Sequence, residues 1–310
     1  MAYNPLIVRL TDEIILLLRG FGQIIFQANA FSGLIFMLAI GLNSGAMLVG
    51  SLVGAWCSSQ SATWFGGDPK AIRQGIYGYN GALIGLSVML FYRVDLTSLG
   101  LIALAAVFSS LLLQQLLQRS HWLPPLTAPF LIMAWLVFAA ADFFALVPIA
   151  AQPIMIETNP VVVLLRGYGQ MLFQANALSG LLILIGVAVS SKADAAWAMF
   201  GVILAMVLVQ LPLLASVPVS VPVLGFSAES AAQGFYSFSA ALIAVVLHQK
   251  FDQPLITCSA IVLAVLLTRF FELAQLTALT APFVLSCWFI FLLAWAKQKW
   301  RLTGGLNKKP

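Results

Sequence analysis

The chain reads as a series of apolar runs divided by short polar breaks. In the first half the runs lie near 31–43, 45–65, 74–92, 96–118 and 124–147; in the second they lie near 177–190, 195–215, 230–248, 254–271 and 276–296. A helix needs about 20 apolar residues to cross a bilayer, so the pattern predicts an all-α polytopic membrane protein. The first run of each set is short. Two stretches stand apart, about 12–29 and 159–176. They are too polar to face lipid and too short for comfortable spans, and each predicts a half-helix that enters the membrane and stops there. Such broken backbone is tolerated at depth only where protein buries it or water lines it.

The same order of blocks is written twice. Arg19-Gly20-Phe21-Gly22-Gln23-Ile24-Ile25-Phe26-Gln27-Ala28-Asn29 recurs 147 residues later as Arg166-Gly167-Tyr168-Gly169-Gln170-Met171-Leu172-Phe173-Gln174-Ala175-Asn176. Gly75-Ile76-Tyr77-Gly78-Tyr79-Asn80-Gly81-Ala82-Leu83 recurs 159 residues on as Gly234-Phe235-Tyr236-Ser237-Phe238-Ser239-Ala240-Ala241-Leu242, and Leu126-Thr127-Ala128-Pro129-Phe130 recurs 153 on as Leu279-Thr280-Ala281-Pro282-Phe283. The expected organisation is therefore a tandem duplication: residues 1–152, residues 153–300, and a basic tail at 301–310. Five crossings per half is an odd number, so the second copy is expected upside down relative to the first. That plan places a site near the midplane between the halves.

Composition and charge fit this plan. Hydrophobic residues make up 62% of the chain and charged residues 8%, against about a quarter charged in a soluble domain; mean hydropathy is +1.01. No signal peptide is read at the start, where Arg9, Asp12 and Glu13 interrupt the segment. The basic residues form no footprint for nucleic acid on one element. With the N-terminus inside, eleven of them fall on the cytoplasmic side: Arg9, Lys70, Arg73, Arg119, Lys192, Lys250, Lys297, Lys299, Arg301, Lys308 and Lys309. Only Arg93 and Arg269 fall outside, and the linker 148–160 and the loop 212–228 hold no Lys or Arg. The positive-inside rule thus puts both termini in the cytoplasm.

Candidate chemistry lies in the repeated blocks. Polar side chains inside a bilayer are costly and mark function by default. Gln23, Gln27 and Asn29 with Gln170, Gln174 and Asn176 supply six amides in two symmetric groups. Arg19 and Arg166 precede them; a fixed cation there would repel cations, or bind carbonyls or headgroups. Thr127 and Thr280 each precede the Ala-Pro of their block and either cap a carbonyl freed by proline or offer a hydroxyl to a solute. Tyr79 with Leu83, and Phe238 with Leu242, share a helical face at i, i+4. With Phe26 and Phe173 they make flat apolar walls beside a row of oxygens, which suits a small planar solute with polar edges. An enzyme is not indicated: no nucleophile–base pair, metal constellation or cofactor motif is present. Cys57, Cys258 and Cys287 sit in apolar stretches as small core residues, and His121 and His248 stand singly at segment ends. The acids in view for ion coupling, Asp142 and Glu229, lie near segment ends and are unmatched in the other half.

These blocks strongly resemble the urea transporter family in its compact bacterial form, over residues from about 10 to 297. The resemblance implies a channel-like facilitator of urea in the cytoplasmic membrane, with a pore in each subunit of a homotrimer and no cofactor. Carried over by motif position, Gln23 and Gln170 are the amide-binding pair, and Thr127 and Thr280 narrow the middle. Phe26, Tyr79 and Leu83 form one slot; Phe173, Phe238 and Leu242 form the other. Phe31 and Leu178 stand where the family commonly has proline, Ser239 replaces an Asn, Tyr79 replaces a Phe, and both members of the amide pair are Gln. The alternative on the same scaffold is a channel for short amides, ammonia or ammonium, or water.

Overall fold

A computed structural model describes residues 5–119, 122–150, 157–214, 225–251 and 253–304. His121, most of the loop 212–228, the expected repeat boundary near 152, and the tail residues Lys308 and Lys309 lie outside the described residues.

The described residues form helices throughout, in two runs of seven. The first half holds α1 (Pro5–Gln23), α2 (Ala30–Asn43), α3 (Gly45–Trp64), α4 (Pro69–Arg73), α5 (Gly78–Phe91), α6 (Leu96–Arg119) and α7 (Ala128–Ala139). The second holds α8 (Pro160–Gly169), which continues as a 3-10 turn over Gln170–Leu172, then α9 (Ala177–Ser190), α10 (Lys192–Leu214), α11 (Ala228–Ala232), α12 (Phe238–His248), α13 (Pro254–Leu273) and α14 (Ala281–Gly304). Each predicted apolar run contains a helix, but not each is a full span. Among the described residues, four helices are long and apolar enough to cross a membrane: α6, α10, α13 and α14. At 1.5 Å per residue, the 14 residues of α5 and the 11 of α12 reach about 21 and 16 Å, well short of the roughly 30 Å hydrocarbon core.

The shortening has a local cause. The expected spans 74–92 and 230–248 open in turns, because Gly75 (φ +76°) and Gly234 (φ +79°) end α4 and α11 in the left-handed region. The next helix then restarts three or four residues later. The first expected half-helix, about 12–29, is shifted toward the N-terminus, since α1 starts at Pro5 and ends at Gln23. The second half matches expectation better: α8 with its 3-10 turn bends by 70° into α9.

Each half is held by an equivalent close crossing. A Cβ on Gly33 would stand 1.8 Å from the Leu18 carbonyl oxygen, and one on Gly180 equally close to that of Leu165. Only glycine lets α2 cross α1, and α9 cross α8, at that separation. Elsewhere α3 packs on α5, and α10 on α12. Between the halves, α2 packs on α9. The core is apolar and continuous from Phe21, Phe36 and Phe130 to Tyr168, Phe283 and Cys287. The outside is apolar as well: Leu38, Phe108, Leu136, Leu178 and Phe289 are each more than half exposed, a surface suited to lipid rather than water.

Candidate functional site

The breaks after α1 and after the α8 turn are the same local structure. Gln27 N–H donates to Gly22 O (3.0 Å) and Phe26 N–H to Gln23 O (3.0 Å), with Phe26 at φ +58°. Gln174 N–H donates to Gly169 O (2.9 Å) and Phe173 N–H to Gln170 O (3.0 Å), with Phe173 at φ +57°. This is the Schellman arrangement that normally ends a helix on glycine. A side chain in the left-handed region costs roughly 1–2 kcal/mol. Both halves carry phenylalanine there, so the ring itself is what the position supplies.

The spacing of Arg and Gln, repeated in both halves, then finds its use. Arg19 and Gln23 sit one turn apart on α1 and take consecutive carbonyls at the end of α4. Arg19 Nη1 donates to Arg73 O (2.8 Å), and Gln23 Nε2 to Gln74 O (3.0 Å). In the second half Arg166 Nη1 donates to Ala232 O (3.2 Å) and Gln170 Nε2 to Gln233 O (3.1 Å). The arginines therefore bind carbonyls. Each glutamine has its nitrogen tied to an acceptor, which orients its Oε1 as a free acceptor.

The other four amides are used differently. Asn29 Oδ1 accepts from the N–H groups of Phe31 and Ser32, and Asn176 Oδ1 from those of Leu178 and Ser179. These are helix caps, worth about 1 kcal/mol each, and they occupy the asparagine oxygens. Gln27 and Gln174 reach across to the other half. Gln27 Nε2 donates to Asp194 Oδ2 (2.8 Å), and Gln174 accepts from Asn43 Nδ2 (2.7 Å) while its own nitrogen lies 3.7 Å from Met47 Sδ. Of the six symmetric amides, Gln23 and Gln170 are the pair that hold both halves alike, nitrogen on the carbonyl just after α4 or α11, outside the helix caps and the seam between halves.

The threonines meet. Leu126 (φ +50°) and Leu279 (φ +45°) turn the chain ahead of them, and Thr127 Oγ1 lies 2.7 Å from Thr280 Oγ1, both side chains buried. The Tyr79 hydroxyl donates to Leu126 O, so it pins the turn that carries Thr127. Phe238, its counterpart, has no hydroxyl to do the same for Leu279. Leu83 and Leu242 are buried at the equivalent depth of α5 and α12.

The aromatic contacts cross between halves. Phe26 packs on Phe283, ring centroids 5.8 Å apart, and Phe173 packs on Phe130 at 6.2 Å. Phe130 and Phe283 close the repeated Leu-Thr-Ala-Pro-Phe blocks, yet sequence reasoning assigned them no part in the walls. Gln170, Phe173 and Phe238 face one cavity of about 220 Å³, together with Phe235, Leu276 and Glu272. Glu272 is a second residue that the sequence did not flag. It accepts from Ser230 Oγ (2.6 Å), Arg269 Nη1 (2.7 Å) and the Tyr236 hydroxyl. Asp194, at 6% exposure, is a third. Each acid borders a predicted run, Asp194 just before 195–215 and Glu272 just after 254–271, and no motif at those run ends connects either acid to the repeated blocks.

A family profile described as Urea transporter matches residues 14–295. The chain belongs to the urea transporter family. Two curated relatives are Urea transporter 1 of Mus musculus and Urea transporter 1 of Rattus norvegicus, each 28% identical over 88 residues. That stretch is 28% of this chain and 22% of each relative, so the match spans less than a quarter of the relatives' own length. As a member of the urea transporter family with long apolar helices and an apolar exterior, the chain is a multi-pass membrane protein.

Proposed function

We propose that this chain carries urea passively across the cytoplasmic membrane, through a pore between its two halves. The observation that carries the reading is the pair of tethered glutamines. Gln23 and Gln170 each hold their nitrogen on a backbone carbonyl and leave an oxygen free, and Gln170 faces a cavity walled by Phe173 and Phe238. Urea is flat, neutral and rich in N–H donors at its edges. Fixed oxygens replace its hydration, while aromatic faces on either side admit its thickness. Phe26, Tyr79 and Leu83 form the first slot and Phe173, Phe238 and Leu242 the second. Between them the threonine hydroxyls exchange their mutual hydrogen bond for one to the solute.

The contacts between halves support a twofold relation. Phe26 meets Phe283 as Phe173 meets Phe130, and Gln27 meets residue 194 as Gln174 meets residue 47, which is the same position 147 earlier. Thr127 meets its own counterpart. Reciprocal contacts of this kind are what an isologous axis produces. Combined with the charge pattern, they favour halves of opposite orientation with both termini in the cytoplasm. A homotrimer with one pore per subunit completes the reading.

The test is urea flux in proteoliposomes by stopped-flow light scattering, with acetamide, glycerol, ammonia and water as competing solutes. Urea is expected to pass fastest, with no requirement for a proton or sodium gradient. Gln23→Ala and Gln170→Ala are each expected to cut urea flux roughly tenfold, the loss of about 1.4 kcal/mol of solute binding, with oligomer size unchanged. Unchanged flux in both variants, or strict dependence on an ion gradient, would overturn the reading.

A further inference from the structure

Asp194 is buried in the first turn of α10, at the seam between the halves. Its Oδ2 accepts two amide N–H groups, from Gln27 Nε2 at 2.8 Å and from Gln249 Nε2 at 2.9 Å. The Gln27 nitrogen also donates to Ile25 O at 3.2 Å. Gln27 and Ile25 flank Phe26, whose φ is +58°. The side chain of Gln27 therefore closes a bridge over the left-handed residue, and the carboxylate from the other half holds that bridge shut. A charge-assisted bond is about twice as strong as a neutral one. Phe26 in turn sets its ring against Phe283 at 5.8 Å.

The second half closes the same bridge without a charge. Gln174 Nε2 donates to Leu172 O at 2.6 Å across Phe173, and the residue at the position of Asp194 is Met47, whose sulfur is 3.7 Å away. Thioether sulfur is a weak acceptor. There the glutamine is fixed instead through its oxygen, by Asn43. Among the described residues no donor holds Gln27 through its oxygen, so across the seam its orientation rests on Asp194.

We propose that Asp194 is a positioning residue for the first aromatic slot: by gripping Gln27 across the seam, it holds the left-handed turn at Phe26 and so sets the width of the slot. The proposal rests on the reading of Phe26 as a slot residue. Asp194 touches no solute and acts through Gln27.

The experiment measures urea and the bulkier 1,3-dimethylurea in proteoliposomes, alongside 19F spectra of protein carrying 4-fluorophenylalanine at position 26 or at position 173. Asp194→Met, which places at 194 the residue found at its counterpart Met47, is expected to raise the dimethylurea-to-urea flux ratio roughly fivefold to tenfold, the scale of one charge-assisted hydrogen bond. The resonance at position 26 is expected to move or broaden, and that at 173 to stay. Asp194→Asn retains a carbonyl acceptor and is expected to stay close to the parent. Gln27→Glu sets two carboxylates together and removes the donor to Ile25 O, so it is expected to behave like Asp194→Met; adding Asp194→Asn relieves the repulsion but leaves Ile25 O without that donor, so the parent ratio is not expected to return. Should Asp194→Met not fold, the double variant carries the test through the resonance at position 26 and the flux ratio. An unmoved resonance at position 26, or a parent flux ratio in the double variant, would overturn the proposal. Absence of urea flux in the parent protein would overturn the functional reading instead, and the spectra would still decide the role of Asp194.

Discussion

The two halves build one backbone and clamp it with different chemistry. After α1 the clamp is the Asp194 carboxylate on Gln27 and the Tyr79 hydroxyl on Leu126 O. After the α8 turn it is Asn43 on Gln174, with no hydroxyl on Phe238. At the openings the contrast reverses. The Tyr77 hydroxyl accepts one backbone N–H, from Asp68. The Tyr236 hydroxyl accepts the equivalent bond from Ser227 and also donates to Glu272, which in turn takes Ser230 and Arg269. What is common to both halves is the left-handed turns at Phe26 and Phe173, Leu126 and Leu279, and Gly75 and Gly234, with the close helix crossings, and these fix where the rings and oxygens stand. What differs is polar pairing, which the duplicated frame leaves free to diverge. The proposed pore then has matched slots on unequal supports.

The largest expected effect breaks what the halves share. Gly33→Ala and Gly180→Ala each drive a Cβ to within 1.8 Å of a carbonyl oxygen. Backbone cannot yield there without parting two helices, so each variant is expected to lose about 3 kcal/mol or more and to elute as aggregate on gel filtration. Gly45→Ala has open space around its Cβ and should elute as the parent does. Equal damage from the two glycines would confirm that the crossings are equivalent; a tolerant Gly180 would mean that the second half relies on its side-chain clamps instead.

A middle-sized effect separates the openings. Tyr236→Phe removes the acceptor of the Ser227 N–H and one donor to the Glu272 carboxylate, whereas Tyr77→Phe removes a single weaker contact of 3.3 Å to Asp68. The former is expected to lower thermal stability by about 1–2 kcal/mol and the latter by less than about 1 kcal/mol. Detergent-solubilised protein followed by tryptophan fluorescence during heating measures both. Equal shifts would show that Glu272 adds nothing through its charge.

Much of this frame was legible in the chain, and the reason is locality. Apolar runs give the helices, and the repeated blocks give the two breaks and their order, because each depends on residues within a few positions. Asn29 and Asn176 were open to the same local reasoning, since an Asn directly before an apolar helix is a capping signal; their symmetry pointed instead to the pore. The shortening of α5 and α12 was written in Gly75 and Gly234, but a glycine inside an apolar run does not by itself say which φ it takes. The clamps were not legible. Asp194 meets Gln27 over 167 positions of sequence, and no period or motif connects them. Phe130 and Phe283 were visible as motif residues, yet only packing across the seam sets them against Phe173 and Phe26.

The smallest expected effect sharpens the comparison by erasing one difference. Tyr79→Phe makes the first half resemble the second at the position of Phe238. The ring stays buried against the same neighbours, so the apolar wall is kept and no cavity larger than one oxygen opens. What is lost is the donor to Leu126 O, at the left-handed residue that turns the chain into Thr127. Leu279 holds the same conformation opposite a phenylalanine that has no hydroxyl to donate, so the turn does not need that bond to form. The cost should therefore fall at the low end for a buried hydrogen bond, about 0.5–1 kcal/mol, with urea flux within roughly twofold of the parent. If flux instead fell as far as it does in Gln23→Ala, the tyrosine hydroxyl would have to be an element of the oxygen row. The first slot would then bind its solute through a contact that the second slot lacks.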